Sequence, residues 1–363
     1  MEVITMSNSW QEVYSELTDF IAEHSEIEIG VSRVCLPDSV RPEFYRLFND
    51  VRKAFVEEKF SNLLNEATPL SQNYLKAEQE VTELLRLDDI SMEASLHRFL
   101  HDPIDQLIRG LFNPLFDLLK GRINAEKYEE GAARNIEASF RPLYQLGYEK
   151  WMALSLVKLL KADKSFQVIL PQMNSEEALK HCSDPSGVEV LPPQESKSIS
   201  FDQELILTVP DFIVHSAKIN RYVSARSELR PAMLRAANAS EQRKWYPLDS
   251  VVALGPGLTL VYMADSPEEV SLVADKERIC RPELIVECRG QEGWYEKEDL
   301  EKVRPHHDSL KPILGSYIVS LEPVPNQEPE KQEVGIHILT AGFDQSKLEP
   351  IVSVLMGQED KGL

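Results

Sequence analysis

The spacing of apolar residues over the first 165 or so positions restricts this chain more than any other feature. In the stretch SWQEVYSELTDFIAEH, Trp10, Val13, Tyr14, Leu17, Phe20 and Ile21 recur every three or four residues, which puts them on one face of a helix. Ser9 followed by Glu12 is a capping box: each side chain can satisfy the other residue's backbone amide at the helix start. In RPEFYRLFNDVRKAFVEEK a second stripe of Phe44, Phe48, Val51 and Phe55 follows Pro42, a residue tolerated at a helix start because its missing amide hydrogen has no partner there. The same period continues through roughly 70–87, 92–120 and 123–162, with Pro103 and Pro114 marking breaks or kinks. A helical domain over residues 1–165 is expected.

The pattern then changes. Residues 166–200 are polar and proline-bearing and read as a connecting segment. After them come short β-branched or aromatic runs, ELILTV, DFIVHS, SVVAL, LTLVYM, ELIVEC and SYIVSL, with helix-like pieces at about 229–244, 267–275 and 298–311. Strands interspersed with helices predict an α/β domain over 201–323 with mixed-sheet character, making the whole chain α+β. A Pro- and Glu-rich linker at 324–334 leads to a β-α tail at 335–363.

Charge and composition narrow the function classes. The formal net charge is −21, which argues against a surface that coats nucleic acid or anionic lipid as a whole. The N-terminus lacks a basic region followed by an apolar core, and WMALSLVKLLKAD is short and interrupted by Lys158 and Lys161, so a cytoplasmic chain with no membrane span is expected. Cys35, Cys182, Cys280 and Cys288 form no C-x-x-C pair and read as reduced structural thiols.

Three groups of residues carry possible chemistry. Glu93, His97, His101 and Asp105 stand four apart, a spacing that could gather metal ligands on a helix face; Pro103 interrupts it, and solvated helix faces carry such residues routinely. Between 218 and 245 an island of Lys218, Arg221, Arg226, Arg230, Arg235, Arg243 and Lys244 faces only Glu228 and Glu241, with Tyr222 and Trp245 as flat neighbours. Arginine forks and aromatic rings in such a stretch suit phosphate and base contacts of DNA or RNA; the alternative is a seam that pairs with acidic parts of the same molecule. The third group is PDFIV with Asp211 and LIVECRG with Glu287 and Arg289, followed by KEDLEKVRPHHDSL and the strand GSYIVSLEP.

That order of parts, over about residues 140–323, resembles the PD-(D/E)XK nuclease superfamily. The resemblance implies a restriction-endonuclease-like sheet in which Asp211 and Glu287 hold Mg²⁺ against a phosphate oxygen, with Glu149 matching the acid of the family's first helix and His306 and His307 near a family histidine position. Arg289 stands where the family has lysine; a guanidinium can stabilise charge but cannot accept a proton. Asp275 competes with Asp211 as the first carboxylate. The function so implied is a nuclease-like protein of microbial nucleic-acid processing or defence. The alternative is a non-catalytic assembly subunit whose acidic helical domain docks a protein partner.

Overall fold

The computed structural model describes residues 9–30, 33–168, 192–201, 210–227, 258–271, 274–275, 278–279, 281–291, 293–296, 304, 306–308, 310–325 and 335–357. The expected strands ELILTV and SVVAL, the expected helix at 229–244, and Arg230, Arg235, Arg243 and Lys244 lie outside these residues, as do Cys182 and Cys280. The chain is an α+β protein that divides into two compact units, one formed by 1–72 with 95–144 and the other by 73–94 with 145–363.

The first unit is helical. Its elements are α1 (Trp10–Glu23), a short hairpin of β1 (Glu28–Ile29) and β2 (Val34–Cys35), α2 (Arg41–Lys59), and the first half of α3 (Ser61–Leu85). Both halves of the expected capping box are made: the Ser9 hydroxyl accepts from the Glu12 amide, and the Glu12 carboxylate accepts from the Ser9 amide at 2.9 Å. After β3 (Asp89–Ser91), which belongs to the other unit, come α4 (Ala94–His101), α5 (Pro103–Arg109), α6 (Phe112–Leu119) and the first part of α7 (Ala125–Leu159). The break between α4 and α5 falls at Asp102, just before Pro103, and the Asp102 side chain caps α5 by accepting from the Asp105 amide. The core of this unit is aromatic. Trp10 lies edge-on to Phe55, with centroids 5.5 Å apart, and 5.3 Å from Tyr128, while Phe48 packs 4.6 Å from Phe116.

The second unit is built on a mixed sheet, eight-stranded among the described residues. Along the chain its strands are β4 (Ala162–Gln167), β5 (Gln194–Glu195), β6 (Ser198–Ser200, paired with β3), β7 (Phe212–Ser216), β8 (Arg221–Ser227) and β9 (Leu258–Ala264). A short helix α8 (Pro267–Ser271) and a hairpin of β10 (Ala274–Asp275) and β11 (Arg278–Ile279) follow. Then come β12 (Leu284–Arg289), β13 (Ser316–Ser320), β14 (Ile336–Thr340) and a last helix, α9 (Glu349–Leu355). The order in the sheet is β14-β13-β12-β9-β8-β7-β4-β5. From β5 to β12 each neighbour is antiparallel; β13 and β14 then add in parallel. β7 and β8 are joined by a turn at 217–220 that ends on Asn220 at φ +53, a conformation asparagine tolerates better than most residues.

The division of contacts does not follow the boundary expected at 165. It falls inside α7, after Tyr144, because the C-terminal half of that helix has its partners in the sheet unit. Tyr148 and Trp151 stack at 5.3 Å, both meet the Phe343 ring edge-on, and the Tyr148 hydroxyl donates to the Gly342 carbonyl at 3.0 Å. Lys158 pairs with Glu80 at 2.7 Å and donates to Gln345 at 2.8 Å. The segment expected as a separate tail is thus part of the sheet unit.

Gly315 enters β13 at φ +109, and a Cβ there would stand 2.9 Å from the Gly335 carbonyl oxygen, which accepts from the Ser316 amide at 2.8 Å. Gly315→Ala is expected to lower unfolding stability by about 1–3 kcal/mol, read as a shifted urea midpoint at unchanged slope. Gly121→Ala, at φ +66 with nothing within 4 Å, meets no such steric contact and serves as the milder control, costing about 1 kcal/mol.

Candidate functional site

β12 is paired along both edges, by β9 and β13, and its residues are buried on both faces, with only Arg289 at its end partly open. Glu287 and Arg289, two apart on one strand, share a face, and Arg289 Nη2 donates to Glu287 Oε2 at 2.8 Å. His306 reaches the other oxygen, with Nδ1 donating to Glu287 Oε1 at 2.7 Å. Both carboxylate oxygens are therefore engaged, and Glu287 is 2% exposed. The Arg289 guanidinium also lies 5.9 Å from the Trp294 ring centroid, and Trp294 Nε1 donates to Ser320 Oγ at 2.8 Å. His307, next to His306, bonds instead to Ser316 Oγ at 2.8 Å. Burial holds its imidazole below the ordinary histidine range.

The end of β12 is held by α7. Gln145 Nε2 donates to the Cys288 carbonyl at 2.7 Å, and its Oε1 accepts from the Gly290 amide at 3.1 Å. One side-chain amide thus splints the strand end. The Cys288 thiol is fully buried, which pushes its pKa well up, as expected of a structural thiol.

Glu149 and Lys150 of α7 enter a second polar cluster. Glu149 is 0% exposed; Thr259 Oγ1 of β9 donates to it at 3.4 Å, and Lys150 Nζ stands 3.6 Å away. Lys150 Nζ donates to Ser227 Oγ at 2.6 Å, and that hydroxyl in turn donates to Asp211. Asp211 also accepts from the Ser227 amide at 2.7 Å and from Arg226 Nη1 at 3.0 Å. The cluster holds two acids and two bases, so its formal charges cancel within the unit.

Asp211 and Glu287 were expected to share a metal, and the sheet keeps them apart. Asp211 precedes β7 and Glu287 sits on β12, with β8 and β9 between, which is about 14 Å at ordinary strand spacing. The position paired with Glu287 on the adjacent strand is Leu258, followed by Thr259. Strand alternation turns Thr259 and Cys288 to the face opposite Glu287, so Glu149, bonded to Thr259, does not complete the site either. Asp275, the competing carboxylate, belongs to the β10–β11 hairpin. Mg²⁺ takes oxygen ligands at about 2.0–2.1 Å in octahedral geometry. Acids already held by Arg289, His306, Arg226 and Ser227 do not fit that requirement. No cluster of three or more His, Cys, Asp or Glu able to hold a metal occurs among the described residues.

The other two groups are likewise engaged. Arg226 is buried against Asp211, whereas Lys218 pairs with Glu349 at 2.9 Å and Arg221 with Asp265 at 2.8 Å in part-exposed contacts, so of the described basic island only Arg226 is locked inside the sheet unit. In the helical ladder, Glu93 precedes α4, the His97 and His101 rings stack at 4.0 Å, and Asp105 pairs with Arg109 at 3.2 Å. No helix among the described residues is long and apolar enough to cross a membrane. Sequence reasoning passed over Gln145, Lys150, Ser227 and Thr259. The one local signal was Lys150 beside Glu149 in an otherwise apolar helical run.

No protein-family model, curated protein or solved structure matches the chain.

Removing one member of a buried ion pair strands the other, at a cost of about 3–5 kcal/mol. Arg226→Met is expected to destabilise the chain by that amount in urea unfolding. The double variant Asp211→Leu/Arg226→Met should lose less than Arg226→Met alone, since no charge is then left unpaired.

Proposed function

We propose that this chain is a non-catalytic, partner-binding subunit whose sheet unit is a degenerate relative of the nuclease scaffold. The observation that carries this reading is the state of Glu287: one oxygen accepts from Arg289 and the other from the His306 ring nitrogen, and Leu258 stands opposite it on β9. In a working site of the resembled kind, that neighbouring strand would supply the second carboxylate. Arg289 in place of lysine supports the same reading, because it neutralises the acid and cannot serve as a base. The net charge of −21 supports a protein partner with a basic surface.

One observation favours the competing reading, Mg²⁺-dependent phosphodiester cleavage. β9 antiparallel to β12, a helical stretch at 306–308, and β13 parallel to β12 repeat the order of parts that motivates the nuclease resemblance. The two readings separate in a cleavage assay with single- and double-stranded DNA and RNA in Mg²⁺ or Mn²⁺. Under the proposal no cleavage exceeds the protein-free control. Cleavage that disappears in Glu287→Gln, verified as folded by thermal unfolding, would overturn it.

A further inference from the structure

Away from the sheet, the helical unit carries an open groove of about 770 Å³, within the range of small-ligand sites. Its floor is aromatic. Tyr45 of α2 and Phe112 of α6 lie nearly parallel, 6.5 Å between centroids and 15° between planes, with Phe116 one turn along α6 and 5.2 Å from Phe112. Phe112 is 38% exposed, unusual for a phenylalanine, and yet its ring is held: Phe48 meets it edge-on at 5.4 Å and the buried Arg52 guanidinium lies 5.4 Å from its centroid. An aromatic ring that is held in place while part of its surface stays exposed loses little freedom when a flat ligand arrives.

The rim is cationic. Arg41 stands at the start of α2, Lys120 ends α6 and Arg122 follows it, and all three line the groove together with a single carboxylate, Asp117. Arg122 pairs with Asp117 at 3.0 Å, and Arg41 pairs with Asp38 at 2.7 Å and donates to the Leu36 carbonyl at 3.0 Å; the side chains of both ion pairs are 41% exposed or more, so the pairs are weak. Lys120 lies 5.6 Å over the Phe116 ring with no acid in ion-pair range among the described residues. Local positive charge in a chain of net charge −21 selects an anion, and the floor selects a flat ring.

We infer that this groove binds a nucleoside phosphate, its base stacked on Phe112 and Tyr45 and its phosphate held by Lys120 and the two arginines. An acidic peptide would use the rim and leave the floor bare. A neutral aromatic would do the reverse. A nucleotide uses both, either as a free molecule or as one unit of a single strand. This site is independent of the buried acids of the sheet unit and of the reading given to them.

Calorimetric titration of the full chain at low salt, without added metal, tests the inference with AMP, ATP and a short single-stranded oligodeoxyadenylate, alongside adenosine and pyrophosphate. At least one of the three phosphate-bearing ligands should bind, weaken with added salt, and exceed adenosine and pyrophosphate by about tenfold or more. Phe112→Ala and Lys120→Gln should each weaken it by about tenfold. Lys120 is partly exposed, so the melting temperature of Lys120→Gln should barely move; Phe112→Ala also loses ring contacts with Phe48 and Arg52, so its affinity is measured well below its own melting temperature. A preference for the oligonucleotide over AMP assigns the base to a strand, and equal affinity assigns a free nucleotide; either supports the site. Absence of binding by all three at millimolar concentration, or binding that neither substitution changes, overturns it.

Discussion

Burying Glu149, Lys150, Asp211 and Arg226 in one unit is possible only because each has an opposite charge or a hydrogen-bond partner within reach, and much of the sheet unit is arranged around that requirement. An isolated ion in a protein interior costs several kcal/mol even after relaxation. Here Ser227 passes the connection from Lys150 to Asp211, so α7 and β8 are tied through a single hydroxyl. Displacing either element would break two interactions at once. Asp211 accepts on both oxygens, from Arg226 on one and from the Ser227 amide and hydroxyl on the other.

The helices were largely legible, because a period of three to four apolar residues reports one buried face directly. α1 and α2 fall where that period and their start signals put them, and the strands β7, β9, β12, β13 and β14 coincide with β-branched runs. β4 and β8 were not legible. ADKSFQ looks like the polar end of a helix, and RYVSARS reads as charge before it reads as strand, although Arg226 is buried against Asp211. Local pattern shows which segments are strands; which strands become neighbours depends on long-range pairing. That is why Asp211 and Glu287 looked like partners in sequence. Residues 221–227, read as part of the basic island, turn out to hold a strand between them.

The candidate site was half legible for a related reason. Glu287, Arg289 and Glu149 were each singled out by residue type, but a motif says nothing about what neutralises its acids. His306 reaches Glu287 from 19 residues away, and Gln145 reaches the same strand end from α7. Both contacts arise from tertiary packing, so no spacing rule announces them. The groove in the helical unit was hidden in the same way: no spacing rule singles out Tyr45, Phe112 and Phe116, and only packing shows which ring stays partly uncovered.

The mixed pairing of the sheet also dictates a sequence of events. Within it β7 and β8 are joined by a tight turn, whereas β12 must wait for β9 on one side and for β13 to return in parallel on the other. Parallel neighbours need a crossover before any ladder bond forms, so they close slowly. Until then LIVEC presents an unpaired apolar edge, the kind of segment that seeks strands from other chains. The edge of the strand that carries Glu287 is therefore shielded only by a parallel neighbour, residues 316–320, that reaches it through a crossover.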